Sequence, residues 1–300
     1  MRTALASKRP LLYSAERPSD PPIRMRLPAP QTLTTRDTIL RYYRTEACGP
    51  PVVLAHGMTD NARCYERVID HLAPKYEVIA YDARGHGGSG RIGGGVAPDA
   101  MVGDLAALIA ALRLEQPVLV GHSMGAVTAA LTAARNPELA RGVVLEDPPL
   151  PLGHTLGIDP GEPLLSSPRW RDWHQAVVEQ RGWDLDRLLT LGRTQHPHWH
   201  PIDVAGWTEA HQQVDPAIFE LRHPMHDAWH DELVGSLSCP LLLLLGDPQL
   251  GSLVDRTQSE RLIELLPQAE IRAIPSAGHC IRRDQFPPFV AELDTFLAGL

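Results

Sequence analysis

Six short apolar runs order this chain: PVVLA (51–55), EVIAY (77–81), PVLVG (117–121), RGVVLED (141–147), PLLLLLG (240–246) and EIRAIP (270–275). Between most of them lie stretches with helical apolar spacing: ARCYERVIDHLA (62–73), PDAMVGDLAALIAALRL (98–114), MGAVTAALTAARN (124–136) and VDRTQSERLIELLP (254–267), with PPFVAELDTFL (287–297) after the last run. A run of about five apolar residues without polar alternation suits a strand covered on both faces. Parallel strands need a crossover, usually a helix, so this rhythm predicts an α/β fold with a mostly parallel central sheet flanked by helices.

The rhythm breaks between about 149 and 232. All six tryptophans (Trp170, Trp173, Trp183, Trp199, Trp207, Trp229) and most of the histidines fall there, without strand-like runs. The expected organisation is an N-terminal arm over 1–30, a core from 31–148 and 233–300, and a helical cap inserted over 149–232. Such a cap would cover the carboxyl edge of the sheet, where open α/β sheets bind ligands. No internal repeat is visible.

Composition narrows the partners. The formal net charge is -8 and no Lys/Arg run stands out, which argues against nucleic acid. No stretch approaches the ~20 apolar residues that span a bilayer. The first residues, MRTALASKRPLLYSAERPSDPP, lack an uninterrupted apolar segment and a clear cleavage site, so no signal peptide is read and a cytoplasmic location is expected. The four cysteines, Cys48, Cys64, Cys239 and Cys280, have no metal-type spacing and read as reduced thiols, with a Cys48–Cys64 disulfide left open. A homodimer is also left open.

The stretch LVGHSMGA (119–126) sets a serine, Ser123, between Gly121 and Gly125, after a predicted strand and before a predicted helix. Read blandly, it is a tight strand-to-helix turn. Read chemically, it is a nucleophile elbow, with glycines where side chains would meet the neighbouring strand and helix. The helix start also sets the Met124 N–H where negative charge would develop.

Together with three further stretches, this motif resembles the α/β-hydrolase family over about residues 31 to 300. LAHGMTDN (54–61) is similar to the family's oxyanion loop, which implies that Met58 donates a backbone N–H. YDARGHGGS (81–89) is similar to its D-x-R-G turn, in which Asp82 and Arg84 look structural. PSAGHCIRRDQF (275–286) resembles the loop carrying the family's histidine, which implies His279 as the base. His56, His122 and His86 compete less well, since they sit in the oxyanion loop, before the serine and in a glycine-rich turn. The acid departs from the common pattern. The usual position after the strand LLLLLG holds Gln249, a neutral side chain. In some branches the acid instead ends the strand after the elbow helix, where this chain has LEDPP. That implies Asp147, with Glu146, Asp247 and Asp255 remaining alternatives.

Other signals read two ways. The histidines of HPHWHP (196–201) and HPMHDAWHDEL (223–233), with His226 and His230 four apart, could form a zinc site, but the spacings match no named pattern and polar lid residues are expected. The tryptophans read mainly as lid core, with one or two at a pocket. Arg282 and Arg283 read as partners of acids such as Asp284, or as a grip on a substrate carboxylate. The function expected from the resemblance is hydrolysis of a carboxylic ester or lactone, a small molecule, through an acyl-enzyme, with no metal or organic cofactor. The alternatives are C–C cleavage of a ring-fission product, a cofactor-free peroxidase-like activity, or a non-catalytic small-molecule receptor.

Overall fold

The computed structural model describes residues 27–92, 98–149, 163–220 and 236–300. Eight strands form one sheet: β1 (Gln31–Thr34), β2 (Ile39–Arg44), β3 (Pro51–Ala55), β4 (Glu77–Tyr81), β5 (Val118–His122), β6 (Gly142–Glu146), β7 (Leu241–Leu245) and β8 (Ala269–Ala273). Their order is β1-β2-β4-β3-β5-β6-β7-β8, and β2 alone runs antiparallel to its two neighbours. The six apolar runs became β3 to β8. The first two strands, QTLT and ILRYYR, had not been expected. They lie at the sheet margin, where one face meets water and Thr, Arg and Tyr replace a continuous apolar run.

Side-chain alternation splits each inner strand between two cores. Val53, Leu119, Val143 and Leu243 face α2 (Pro98–Leu112) and α3 (Met124–Arg135). Val52, Leu54, Val120, Val144 and Leu244 face α1 (Glu66–Leu72) and the C-terminal helix (Phe286–Ala298). This double coverage is why the runs lack polar alternation. Truncating a fully buried leucine such as Leu244 to alanine would cost about 2–5 kcal/mol. The α3 helix is alanine-rich, and its residues from Gly125 to Ala134 are buried. Small side chains let it lie close against the sheet and so fix the position of its own first residue.

Between β6 and β7 the described residues contain α4 (Pro168–Gln180), α5 (Leu185–Gln195) and α6 (Pro201–Gln213). Polar clamps tie α6 to the core: Arg67 Nη1 lies 2.7 Å from Asp203, Arg63 pairs with Glu209, and Asn61 Nδ2 donates to Gln213 at 3.0 Å. Part of the predicted arm, and the ends of the predicted insertion, lie outside the described residues. After β7 come α7 (Arg256–Leu265), α8 (Ile281–Asp284) and α9 (Phe286–Ala298). All four cysteines are free, so the Cys48–Cys64 disulfide left open by the sequence is not formed. Among the described residues no helix is long and apolar enough to cross a membrane.

Candidate active site

Ser123 is the single joint between β5, ending at His122, and α3, starting at Met124. Its φ of 52° and ψ of -116° are a conformation that non-glycine residues rarely adopt and that costs about 1–3 kcal/mol. The surroundings hold it there. Its N–H donates to the Glu146 carbonyl at 3.0 Å, and its carbonyl accepts from the N–H groups of Ala126 and Val127. A Cβ on Gly121 would come within 2.3 Å of the Gly125 carbonyl oxygen, and one on Gly125 within 2.1 Å of the Ala55 carbonyl oxygen. Both flanking positions therefore require glycine.

Asp147 follows β6 with φ 40° and is fully buried. Its Oδ2 lies 2.6 Å from His279 Nδ1 and accepts from the Leu253 N–H at 2.8 Å, while Oδ1 accepts from Ser252 Oγ at 2.6 Å. The other three acids of the sequence reading are engaged elsewhere. Glu146, one residue earlier and so facing the opposite way, pairs with Arg282 at 3.0 Å. Asp247 caps a short turn by accepting from the Gln249 N–H at 2.8 Å, and Gln249 itself is exposed. Asp255 and Gln258 cap the start of α7 reciprocally, each backbone N–H donating to the other side chain at 2.8 Å. Ser252, whose hydroxyl holds the Asp147 carboxylate, was not anticipated.

The oxyanion-like loop is braced by His56. Its Nε2 accepts from the Ala83 N–H at 2.9 Å, which leaves Nδ1–H to donate to the Gly57 carbonyl at 2.8 Å. That carbonyl also accepts from the Asp60 N–H at 3.1 Å. In a trans peptide the N–H points opposite to the C=O. Pinning the Gly57 carbonyl thus fixes the direction of the Met58 N–H. Burial, with His86 nearby, lowers the His56 pKa to about 4, so the imidazole is neutral at pH 7. His86 Nε2 lies 2.7 Å from the Met58 carbonyl and steadies the next peptide.

A cavity of about 340 Å³ opens over these groups. Met58, Ser123, Met124 and His279 line it from the core, and Leu164, Arg169, Trp170, Trp173 and Ile218 line it from the inserted segment. The structure therefore brings together all five residues singled out in the sequence, with Asp147 behind His279. A second cavity, of about 390 Å³ beside Arg67, His71 and Phe286, contains none of them. Cys280 adjoins His279, but burial pushes its thiol up to about 12, which keeps it protonated.

Arg282 and Arg283 pair with acids, as the sequence reading expected, but not with Asp284, the example it named. Both are buried and turn inward: Arg282 reaches Glu146 at 3.0 Å and Asp60 at 2.7 Å, and Arg283 reaches the other Asp60 oxygen at 2.8 Å. Two buried cations require buried anions, and Asp284 lies nearer the surface, bound instead to His198, Trp199 and the Gly278 N–H. Burial alone would raise the Asp60 pKa, but Arg283, His122 and Arg282 hold it well below the usual carboxylate range. His122 Nε2 also donates to the His279 carbonyl at 2.9 Å.

The histidines of HPHWHP have separate partners. His196 stacks on Trp199 at 3.7 Å, His198 meets Asp284, and His200 Nδ1 accepts from the Ile202 N–H. His223, His226 and His230, like Trp229, lie outside the described residues. Trp170 and Trp173 line the cavity, whereas Trp199 and Trp207 pack in a separate cluster and Trp183 lies under Arg187.

Comparison with known proteins sets this geometry in a lineage. The chain is similar to 2-(acetamidomethylene)succinate hydrolase of Mesorhizobium japonicum, 36% identical over 104 residues that span 35% of this chain and 37% of that relative. It is similar to N-formylmaleamate deformylase of Pseudomonas putida, 27% identical over 85% of this chain and 91% of that one. The solved structure of an esterase from Thermogutta terrifontis superposes with a TM-score of 0.67 at 23% identity, over 90% of this chain and 98% of the other. Residues 50–282 match the family model described as alpha/beta hydrolase fold, and the chain belongs to that family of hydrolases.

Proposed function

We propose that this hydrolase cleaves a carboxylic ester or lactone of a small molecule through an acyl-enzyme. The observation that carries the reading is the 2.6 Å Asp147–His279 pair beside a cavity that Ser123 shares. With Nδ1–H donating to Asp147, the neutral imidazole keeps Nε2 as its acceptor. His279 takes the Ser123 hydroxyl proton as the oxygen attacks the carbonyl carbon. The oxyanion is received by the backbone N–H groups of Met58 and Met124. His279 then returns the proton to the leaving group, and water repeats the sequence to release the acid. The helical insertion acts as a cap that shapes the pocket.

A second reading is cleavage of an amide or formyl-amide bond by the same residues. It is favoured by the names of the two relatives, an acetamidomethylene hydrolase and a deformylase. A p-nitrophenyl ester assay with matched anilides separates the two. The expected result is ester turnover that Ser123→Ala abolishes, together with fluorophosphonate labelling at Ser123. Anilide turnover exceeding ester turnover would favour the second reading, and no turnover and no labelling would overturn both.

A further inference from the structure

The cavity wall holds one feature that the proposed chemistry does not use. Arg169, an exposed residue on the first turn of α4, lines the cavity. Its guanidinium makes no ion pair or hydrogen bond among the described residues. Among the described residues, Arg282 and Arg283 are neutralised by Asp60 and Glu146, and His279 faces Asp147. Around Arg169 the wall is apolar, with Leu164, Trp170, Trp173 and Ile218. The chain as a whole carries a net charge of -8, so its long-range field repels anions. Arg169 is exposed, so water screens its attraction for an anion, but a cation with no counter-charge among the described residues still reverses that preference at the cavity, within a Debye length of about 8 Å at physiological salt.

Resting on the reading of Ser123 as nucleophile, we propose that Arg169 recognises a carboxylate elsewhere on the substrate, which makes the substrate a carboxylate-bearing ester or amide. The guanidinium fork suits bidentate pairing with a carboxylate. The two tryptophans beside it, with ring centroids 5.2 Å apart, cover the apolar part of the same molecule. Arg169 is thus a specificity residue and takes no part in the bond cleavage.

The test uses matched substrate pairs. Mono-p-nitrophenyl glutarate is compared with p-nitrophenyl valerate, which places the anion on the acyl side, and 4-acetoxybenzoate with phenyl acetate, which places it on the leaving side. In at least one pair the wild type should prefer the anionic member, and Arg169→Met should reduce that preference about tenfold, mainly through KM. Arg169→Lys should restore part of it, and added salt should weaken it. A preference unchanged within about twofold in both pairs would overturn the proposal. Binding of glutarate, followed by tryptophan fluorescence in the wild type and in Arg169→Met, tests the contact without catalysis. If no ester is turned over yet glutarate binds only when Arg169 is present, the nucleophile reading fails while the anion site stands. If esters are turned over but Arg169→Met alters neither preference nor binding, only the anion site fails.

Discussion

The region behind Asp147 and the region in front of Ser123 are built on opposite principles. Behind lie four buried charges, Asp60, Glu146, Arg282 and Arg283, balanced two against two and paired at 2.7–3.0 Å. They tie together the loop of Met58, the end of β6 and the loop of His279, which are far apart in sequence. In front lie tryptophans and an arginine with no partner among the described residues. Burying charge is expensive unless every member is paired, so the rear tolerates little change in any one residue. The front is apolar and less connected, and its residues can vary in shape without leaving a charge stranded. Under the proposed function, the difference separates what holds the reacting groups still from what selects the molecule they act on.

The comparison breaks most severely where the rear touches the reacting groups. Asp147→Asn should lower turnover on the order of 10⁴-fold, because the amide no longer fixes the tautomer of His279 or stabilises its charged form. Asp247→Asn should retain most activity, since Asp247 only caps a turn. Steady-state kinetics on a p-nitrophenyl ester checks both, and the reverse order would move the acid to Asp247.

A smaller effect is expected one layer deeper. Arg282→Met keeps much of the side-chain volume but removes the ion pair of Glu146 and leaves Asp60 with Arg283 and His122. Removing one partner of such a buried set costs about 3–5 kcal/mol, to be read from the urea midpoint. The double change Arg282→Met with Glu146→Gln should recover part of that loss, as a double-mutant cycle would record. If the single variant loses less than about 1 kcal/mol, the rear is not the rigid region described above.

How far the sequence discloses this contrast depends on the range of the interactions. The elbow's signal is local: Gly121, Ser123 and Gly125 sit within eight residues, and Gly121 is required by the Gly125 carbonyl inside that stretch, although Gly125 is required by the Ala55 carbonyl of β3. The inner strands β3 to β7 are legible because burial on both faces removes nearly all polar residues from them, and the edge strand β8, with Glu270 and Arg272 exposed, is legible from its place in the strand–helix rhythm. The contact of Asp147 with His279 was legible because Gln249 left the commoner position without a charge, although Ser252, which holds its carboxylate, gave no signal. β1 and β2 were not legible, since marginal strands mix polar and apolar residues. The partners of Arg282 and Arg283 were not legible either, because Asp60 lies over 200 positions away. The nearby Asp284 looked adequate until the chain was folded. Arg169 is an ordinary helix residue in sequence, and only the placement of α4 brings it to the cavity.

The inserted segment can be probed by acid at a contact outside the cavity. His211 on α6 is buried against Trp207, with ring centroids 3.9 Å apart, and its Nδ1–H donates to the Trp207 carbonyl at 3.0 Å. Burial lowers its pKa to about 4. In the unfolded chain the same imidazole takes a proton at about 6.5. The folded state therefore binds fewer protons between those values, and stability falls as the pH drops from about 6.5 towards 4. For this one group the loss between pH 7 and pH 4.5 is about 2–3 kcal/mol. His211→Gln keeps a polar side chain that does not titrate, so its stability should decline less over that interval by about that amount. Urea denaturation at the two pH values measures the difference. Equal declines in the two proteins would mean that His211 is protonated while folded, and that the inserted segment lets water into the contact with Trp207.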